Sequence, residues 1–496
     1  MFFRTAATSA IGVIVLAVVG AAMGPQWDPV PLTNPLKIEA GPTTIGGPAP
    51  AAQVGTYAVS THVVRVALDG TTVDAQVTAP VGAPAGLAGV VFVHGAGTGK
   101  FTRAFVDQAH TFASAGIVTL VPNKRLDTYS TSHRDYKAMA LDYAHSVDAL
   151  RSTPGVDPDR VGLYGESEGA WIAPVMMARD PRLAFAILIS APVVPPREQA
   201  AFAADSYLRQ TGVPGGVFRA IPRAVGMDFP GGGFEYADFD VAPFQQRTTQ
   251  PVFVGYGTAD AAMPTIQGAQ QIISDLAVAG NDQYTVRYYA GADHGLRIDD
   301  VVVPTLLSDL ARWIAGMPAT ATAQPRIAGD QPHQAYLAVP LKTPRWFRDG
   351  NLILDTVIGA GALVVAGAVV SIVSRLRRKG TGLAAGLTGP LFAISLGATL
   401  TVGALVWYLI AIARLALDYD KNSWVVQGGW VGVRLVGVAT VVAAAVLVNR
   451  LDDLRADPEL RAVRGAPAIA TFALVSLGSG VLLVTLAYWG VFQLGI

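Results

Sequence analysis

The chain contains no cysteine and few charged residues, and both shortages restrict its chemistry. Without cysteine, the 496 residues can form neither disulfides nor thiolate metal sites. The seven histidines show no His-Glu-x-x-His pattern, so we expect neither a metal nor another cofactor. Lysine plus arginine and aspartate plus glutamate both number 36, which gives no electrostatic reason to expect nucleic acid as a partner.

Charge is scarce because much of the sequence is apolar. Charged residues make up 15% of the chain and hydrophobic residues 51%, which is too apolar for an ordinary soluble protein. Buried core helices are a less favoured alternative, because they would require several unusually long helices with no polar face. Each stretch can span a hydrocarbon core of about 30 Å. We therefore expect a multi-pass protein of the cell membrane, embedded in the lipid bilayer, with spans at residues 6–23, 352–374, 388–412, 427–448 and 467–492.

Lysine and arginine positions predict how the chain is oriented. Two loops between the apolar stretches are basic, whereas the short loop at 418–422 has Lys421 as its single cation. Basic loops favour the cytoplasmic side, so residues 24–351 would lie outside the membrane. The basic residues are Arg375, Arg377, Arg378 and Lys379 in the first loop, and Arg450, Arg455, Arg461 and Arg464 in the second.

The first apolar stretch, within residues 1–24, has two interpretations. Gly20, Ala21 and Ala22 are small residues that suit cleavage of a signal peptide, while the length of the stretch also suits an uncleaved signal anchor. Both interpretations stay open, and both leave the following residues outside the membrane.

Between the membrane segments, strand-like runs alternate with helical stretches. Residues 55–80 alternate polar and apolar side chains around Asp69 and Gly70, which predicts an antiparallel hairpin. The alternation that follows is typical of a mainly parallel sheet with helices on both faces. The predicted organisation is a linker at 25–54, an α/β domain at 55–317 interrupted by a cap insertion at 192–248, a second linker at 318–350 and a four-helix transmembrane domain at 351–496.

The most informative motif is Gly-Glu-Ser-Glu-Gly at residues 165–169. A β-branched and aromatic run ends at Gly165, Ser167 follows, and Gly169 opens a stretch of helical composition. A turn this tight requires residues without bulk on either side of the serine. The hydroxyl of Ser167 would then lie above the end of a sheet, where a base can reach it.

Three other loops follow predicted strands. The first is the small-residue loop His94-Gly95-Ala96-Gly97, whose N–H groups can approach a ligand closely, as the oxyanion of acyl transfer requires. The others end in Asp260 and His294. Serine, aspartate and histidine thus occur in the order found in α/β-hydrolases. Over residues 55–317 the sequence resembles the α/β-hydrolase superfamily, in the branch of dienelactone hydrolases and the peptidase domain of prolyl oligopeptidases.

The resemblance implies a role for each residue. Ser167 would be the nucleophile, His294 the base, and Asp260 the acid that orients the imidazole. The backbone N–H groups of Glu168 and Ala96 would form the oxyanion hole. Asp293 is a competing acid, but neighbours on a tight loop rarely point at one another. His94 is expected to shape its loop.

We therefore expect an extracytoplasmic serine hydrolase that cleaves carboxylic ester or thioester bonds of a small-molecule or lipid substrate. An acyltransferase that uses the same acyl-enzyme is an alternative, because the acceptor admitted to the site decides the product. In another alternative, the membrane part is the functional element, a channel or scaffold, and the hydrolase-like domain is an accessory that binds a ligand. Peptidase activity is less favoured because no propeller accompanies the domain.

Overall fold

The chain forms two compact units. A computed structural model describes residues 2–48, 50, 52–97, 99–130, 132–231, 233–377, 382–417, 420, 422–456 and 461–494. Arg378, Lys379 and Lys421, which entered the orientation prediction, lie outside these residues. The sheet unit comprises Pro29–Ala203 and Glu235–Pro340, and the helical unit comprises Met1–Asp28, Ala204–Phe234 and Leu341–Ile496. The first helix, α1 (Phe2–Ala22), belongs to the helical unit.

A nine-stranded sheet is the centre of the sheet unit. Its strand order is β1-β2-β4-β3-β5-β6-β7-β8-β11, and only the pairs of β2 with β1 and β4 are antiparallel within it. The strands are β1 (Val59–Leu68), β2 (Thr71–Pro80), β3 (Leu87–Val93), β4 (Val118–Pro122), β5 (Val156–Glu166), β6 (Ala186–Ile189), β7 (Val252–Gly257), β8 (Tyr284–Tyr289), β9 (Arg297–Ile298), β10 (Val301–Val302) and β11 (Ile327–Gly329). Strands β9 and β10 form a separate two-stranded sheet.

Helices cover both faces of this sheet. Successive residues of a strand face opposite sides, so Val91 and Val93 of β3 join one core cluster and Val90 and Phe92 the other. The α-helices that follow α1, up to residue 340, are α2 (Val106–Ser114), α3 (Tyr136–Arg151), α4 (Gly169–Arg179), α5 (Pro196–Gln210), α6 (Ala220–Ala224), α7 (Ala242–Gln245), α8 (Thr265–Val278) and α9 (Pro304–Ala315). The first cluster includes α3, α4 and α8, and the second includes α2 and α9. The predicted mainly parallel sheet with helices on both faces is confirmed.

The predicted second linker and the predicted cap contain structure that the sequence patterns do not indicate. Residues 318–350, expected to be a linker, contribute β11, which pairs in parallel with β8. Three residues are too few to show a strand pattern in the sequence. The cap expected at 192–248 is divided, because residues 204–234 group with the helical unit. Within that unit Tyr207 donates its hydroxyl proton to the carbonyl oxygen of Asp420, 2.8 Å away.

The helical unit contains the apolar segments. Its long helices are α1, α10 (Gly350–Leu376), α11 (Thr388–Leu417), α12 (Gly429–Arg455) and α13 (Ala466–Tyr488), and a π-helical turn at Trp424–Gly428 leads into α12. Five helical segments are long and apolar enough to cross a membrane. They coincide with the five predicted spans, and a multi-pass membrane protein is compatible with this structure.

Both predicted cytoplasmic loops lie at one end of the helical unit. Leu383 in the first loop pairs with Val463 in the second as an antiparallel bridge. At the same end Arg4 of α1 forms ion pairs with Asp452 and Asp453 at the end of α12, with N···O distances of 3.2 and 2.5 Å. The start of α1 and the two basic loops therefore share one side of the unit.

Arg223 joins two helix ends on the opposite side. Its buried guanidinium donates hydrogen bonds to the backbone carbonyl oxygens of Gly20 and Gly24, at and just beyond the end of α1, and of Tyr488 at the end of α13. Helix carboxyl ends carry partial negative charge, which a cation stabilises. Burial lowers the pKa of Arg223 to about 10, so the group stays charged at neutral pH.

Candidate active site

Ser167 lies on a strained turn between β5 and α4. Its φ of 54° is in the left-handed region, which side-chain-bearing residues rarely adopt. A Cβ atom at Gly165 would come within 2.5 Å of the carbonyl oxygen of Gly169, and one at Gly169 would overlap the carbonyl oxygen of Val93. The two glycines are therefore required by close backbone contacts, as the motif predicts.

Asp260 and His294 meet at the carboxyl ends of β7 and β8. Asp260 Oδ2 lies 3.0 Å from His294 Nδ1, and the Asp260 side chain is fully buried. The other oxygen, Oδ1, accepts hydrogen bonds from the backbone N–H groups of Ala262 and Met263 at 2.9 and 3.1 Å, which fixes the carboxylate. Asp293 instead accepts N–H groups of its own loop. The structure thus pairs His294 with Asp260.

This pairing changes the pKa values of both residues. Burial disfavours the charged form of each, but the mutual attraction and hydrogen bond outweigh burial. The net result is that the pKa of His294 is raised and the pKa of Asp260 is lowered. Asp260 therefore remains ionised at neutral pH and favours the protonated form of His294.

Strand β6 brings the serine and histidine loops together. The N–H of Ser167 donates to the carbonyl oxygen of Ile189, the last residue of β6, at 2.9 Å. The next residue, Ser190, donates its Oγ proton to the carbonyl oxygen of His294 at 2.6 Å. Consecutive residues at the end of one strand thus bind the two loops, so Ser167, Asp260 and His294 converge at the carboxyl edge of the sheet.

The His94–Gly97 loop lies against the turn at Ser167. A Cβ atom built on Gly95 would be 3.4 Å from the Cβ of Ser167. The N–H groups of His94 and Gly97 donate to the hydroxyls of Tyr143 and Tyr129 at 3.2 and 3.0 Å. In the part of the chain that the structure describes, the N–H groups of Ala96 and Glu168 donate to no acceptor. The oxyanion role predicted for these two N–H groups requires that they be free of other acceptors, and it stays a prediction.

His94 fixes this loop through its ring. Its Nε2 lies 2.6 Å from the carbonyl oxygen of Pro122, a group that can only accept, so the ring nitrogen donates. Burial lowers the pKa of His94 to about 4, and the ring is neutral at physiological pH. His94 therefore supports the loop, and its low pKa makes it a weak base at neutral pH. Among the described residues, no group of three or more His, Cys, Asp or Glu side chains could hold a metal ion.

Ser190 lies beside the candidate site, although no pattern in the sequence indicates it. It follows an apolar strand and carries no motif, yet its φ of 47° is as unusual as that of Ser167. Its hydroxyl binds the carbonyl of His294 and is also one of the groups that lower the pKa of Asp260. Only the folded structure shows that one serine contacts the loops of both the acid and the base.

Removing the Ser190 hydroxyl is expected to lower kcat for ester hydrolysis by on the order of tenfold, because small displacements of a catalytic group are costly. Ser190→Gly tolerates the positive φ, whereas Ser190→Ala keeps the backbone strain and loses the same hydrogen bond. We expect equal losses of kcat in both variants and a lower melting temperature for Ser190→Ala. Full kcat in Ser190→Gly would show that the hydroxyl has no positioning role.

Glu166 places a second carboxylate near His294. Its Oε2 atom is buried, and no described residue donates a hydrogen bond to it. Burial raises the pKa of Glu166, against the attraction of Arg297 and His294. The Glu166 charge in turn contributes to the raised pKa of His294. Glu166 is therefore placed to raise the pKa of His294, whereas the carboxylate paired with the ring is that of Asp260.

Glu166→Gln is expected to move the acidic limb of the kcat/KM profile to lower pH. Removing the negative charge makes the imidazolium less stable, so the pKa of His294 falls and the neutral base persists at lower pH. The measurement is kcat/KM for an ester between pH 4 and 9. Glu39→Gln is the control, because Glu39 binds the N–H of Arg326 outside this site. An unchanged limb, or a shift to higher pH, would contradict the expectation.

Solved structures of hydrolases are similar to about half of the chain. They include an α/β hydrolase from Penicillium sp. sh18 at 15% identity and a TM-score of 0.35, covering 52% of this chain and 97% of that one. A dienelactone hydrolase-like promiscuous phosphotriesterase from metagenomic libraries is 14% identical, with a TM-score of 0.34 and coverages of 52% and 95%. A cold-adapted esterase from an Arctic intertidal metagenomic library is 15% identical, with a TM-score of 0.33 and coverages of 51% and 93%.

The chain matches no protein-family model and no curated protein sequence. The description of the fold therefore rests on this chain's own structure: the sheet order, the turn at Ser167 and the convergence of three loops at one sheet edge. The expected fold class is confirmed as a mainly parallel sheet with helices on both faces, accompanied by several long apolar helices.

Proposed function

We propose that this protein is a serine hydrolase that cleaves carboxylic ester or thioester bonds. The observation that carries the proposal is the pair of Asp260 and His294, 3.0 Å apart, at the sheet edge where Ser167 lies on its strained turn. A ligand-binding accessory domain would need none of these three groups in this arrangement. The substrate class is an acyl ester, either of a small molecule or of a lipid.

The geometry supports a two-step reaction. Ser167 Oγ attacks the acyl carbon while His294 Nε2 takes the hydroxyl proton, and Asp260 holds Nδ1–H and stabilises the imidazolium. The N–H groups of Ala96 and Glu168 bind the oxyanion of the tetrahedral intermediate. The intermediate collapses to an acyl-enzyme when His294 returns its proton to the departing alcohol or thiol. Water then resolves the acyl-enzyme by the same steps and releases the acid.

The test uses the purified full chain in detergent with a panel of nitrophenyl esters and acyl thioesters. We expect hydrolysis with an acyl-enzyme that can be trapped at low pH. The acyltransferase alternative predicts that an added alcohol takes most of the acyl groups, whereas hydrolysis predicts that water takes most of them. Absence of both turnover and acyl-enzyme across the panel would contradict the proposal.

We also propose that the sheet unit lies outside the cytoplasmic membrane. The two basic loops and Arg4 share one end of the helical unit, and α1 and α13 end at the other, where Arg223 binds their carbonyls. Positive charge favours the cytoplasm for the first end. Helix α10 begins at the second end as well, because Phe347 just before it packs against Tyr488 of α13, with ring centroids 5.1 Å apart. In sequence, the sheet unit follows α1 and precedes α10.

The absence of cysteine makes this orientation directly testable. Because the natural chain has no thiol, a single introduced cysteine is the only site that a maleimide can label. Two exposed positions are suitable: Lys137→Cys in the sheet unit and Arg377→Cys in the first basic loop. A membrane-impermeant maleimide is expected to label Lys137→Cys in intact cells and Arg377→Cys only after permeabilisation. The reverse pattern would place the sheet unit in the cytoplasm.

We further propose that α1 is retained as part of the helical unit. A Cβ atom at Gly20 would overlap the carbonyl of Ala487 in α13, so the two helices are in close contact. Thr8 donates to the side chain of Asn449 in α12 at 3.0 Å, and Arg223 binds the far end of α1. Mass spectrometry of the mature amino terminus is expected to find residues 2–22. A mature chain that begins beyond Ala22 would contradict retention.

A further inference from the structure

A buried ion pair lies beside the turn at Ser167 and has no role in the steps above. Lys124 Nζ is 2.7 Å from Glu168 Oε2, and the two side chains are 1% and 2% exposed. Taking two charges out of water is costly, so a buried pair is weak support for stability alone. A contact between this ion pair and the predicted oxyanion donors would indicate a functional role for the pair.

Lys124 has such a contact. Its ammonium group donates a second hydrogen bond to the carbonyl oxygen of Gly95, also at 2.7 Å. The C=O of Gly95 and the N–H of Ala96 belong to the same planar peptide group, in which they point in opposite directions. A cation that holds this carbonyl therefore fixes the direction of the Ala96 N–H. It also polarises the peptide so that the N–H is a stronger donor.

Glu168 connects the same ion pair to the other oxyanion donor. Its backbone N–H is the second candidate donor, while its side chain holds Lys124. The carboxylate is shared with Arg134, whose NH1 atom lies 3.3 Å from Oε1. The ring of Tyr129 lies 3.9 Å from Lys124 Nζ, and its hydroxyl accepts the N–H of Gly97. Two cations and one carboxylate leave a formal charge of +1 beside the position of the oxyanion.

We propose that the side chains of Lys124 and Glu168 are positioning residues of the oxyanion hole. Lys124 orients the Ala96 N–H through the Gly95 carbonyl, and Glu168 holds the ammonium group in place while its own N–H supplies the second donor. Neither side chain touches the substrate. This inference rests on the proposed serine hydrolase function and adds to it the groups that align its oxyanion donors.

Lys124→Met is the principal test, because methionine fills a similar volume without the charge. Loss of an entire oxyanion donor typically lowers kcat by 10²- to 10³-fold, so misorientation of one donor is expected to lower kcat by about 10- to 100-fold. KM for the ester is expected to stay within about twofold, since the oxyanion forms only in the transition state. A trifluoromethyl ketone, which forms a tetrahedral adduct, should lose affinity in parallel with kcat/KM.

Arg125→Met is the matched control. Arg125 is the next residue, but its guanidinium pairs with Asp127 and Asp142 at 2.7 and 3.1 Å. Its removal is expected to leave kcat and inhibitor affinity unchanged. A non-hydrolysable ether analogue of the ester should bind wild type and Lys124→Met equally, because it presents no oxyanion. A purely structural role of Lys124 would weaken both analogues and lower the melting temperature.

Glu168→Gln is the second variant and tests the positioning role even if Lys124→Met does not fold. It keeps the backbone N–H and the side-chain size but removes the charge that holds Lys124. We therefore expect lower kcat and lower affinity for the ketone in this variant as well. If both variants fold, the fold-decrease of kcat in the double variant should be smaller than the product of the two single fold-decreases, because the two side chains act as a unit. Unchanged kcat in the folded variants, or equal losses for ether and ketone, would overturn the inference.

The outcomes also separate this inference from the proposed function. Ester hydrolysis that survives Ser167→Ala would contradict the serine hydrolase mechanism, whatever Lys124→Met does. Hydrolysis that depends on Ser167 but is unaffected in Lys124→Met and Glu168→Gln would leave the mechanism intact and reject the positioning role.

Discussion

Ser167→Ala is expected to lower kcat for ester hydrolysis by about 10⁴- to 10⁶-fold, which is typical of losing a serine nucleophile. Without Oγ no acyl-enzyme forms, and only the oxyanion hole and substrate binding can still assist direct attack by water. Binding should persist, because alanine is smaller than serine and leaves the site open. The measurement is the steady-state rate of the purified protein with its best ester, together with KM.

Ser152→Ala provides the control for this substitution. Ser152 is exposed at the end of α3, where its hydroxyl donates to the carbonyl of Asp148. We expect its kcat to stay within about twofold of wild type, as is usual for a surface substitution. A Ser167→Ala variant that keeps more than a few per cent of wild-type activity would show that another group performs the attack.

Asp260→Asn is expected to lower kcat by about 10⁴-fold, as in other triads where the acid is replaced by its amide. The amide has similar size but cannot stabilise the imidazolium, and its N–H₂ group favours the wrong tautomer of His294. The pKa of His294 is expected to fall, because its main attractive partner has lost its charge. The measurement is the pH profile of kcat and kcat/KM.

Asp293→Asn is the matched comparison, because Asp293 adjoins His294 in the sequence. Its Oδ1 accepts N–H groups of Gly295 and Arg297 at 2.9 Å, and an asparagine oxygen can accept the same bonds. We expect less than about a tenfold loss of kcat, since the loop geometry is kept. A larger loss in Asp293→Asn than in Asp260→Asn would identify Asp293 as the functional acid.

Local patterns were sufficient to predict the sheet, and they also single out Ser167, Asp260 and His294, which the structure brings to one edge of it. The strands of the sheet centre are β-branched runs, buried on both faces, and such runs are visible in a sequence. Glycines at 165 and 169 are needed because backbone atoms of their own motif and of β3 approach them closely. Asp260 and His294 each end a loop after a strand, so their convergence follows from the parallel arrangement.

Long-range contacts between ordinary residues could not be predicted. Lys124 follows a strand and resembles a surface lysine, and only its approach to Gly95 and Glu168 shows that it is buried. Ser190 has no motif because its importance comes from a neighbouring loop 104 positions away. Such pairings depend on which strands are adjacent, and one sequence does not specify them.

The helical unit shows the same contrast. Hydropathy was sufficient to predict five long apolar helices, but the contacts of residues 204–234 within the helical unit were not visible in it. Trp27, for example, donates its indole N–H to Asp205 at 2.6 Å, across 178 positions of sequence. A segment rich in aromatic residues looks like a cap when considered alone, and its partners decide where it belongs.

Covalent labelling can show directly whether Ser167 is the nucleophile. The purified full chain is treated with a fluorophosphonate, which reacts with an activated serine, and the modified peptide is identified by mass spectrometry. We expect one adduct on the peptide that contains Ser167, its loss in Ser167→Ala and strong reduction in Asp260→Asn. Absence of labelling in active wild-type protein, or an adduct on another serine that persists in Ser167→Ala, would contradict this expectation.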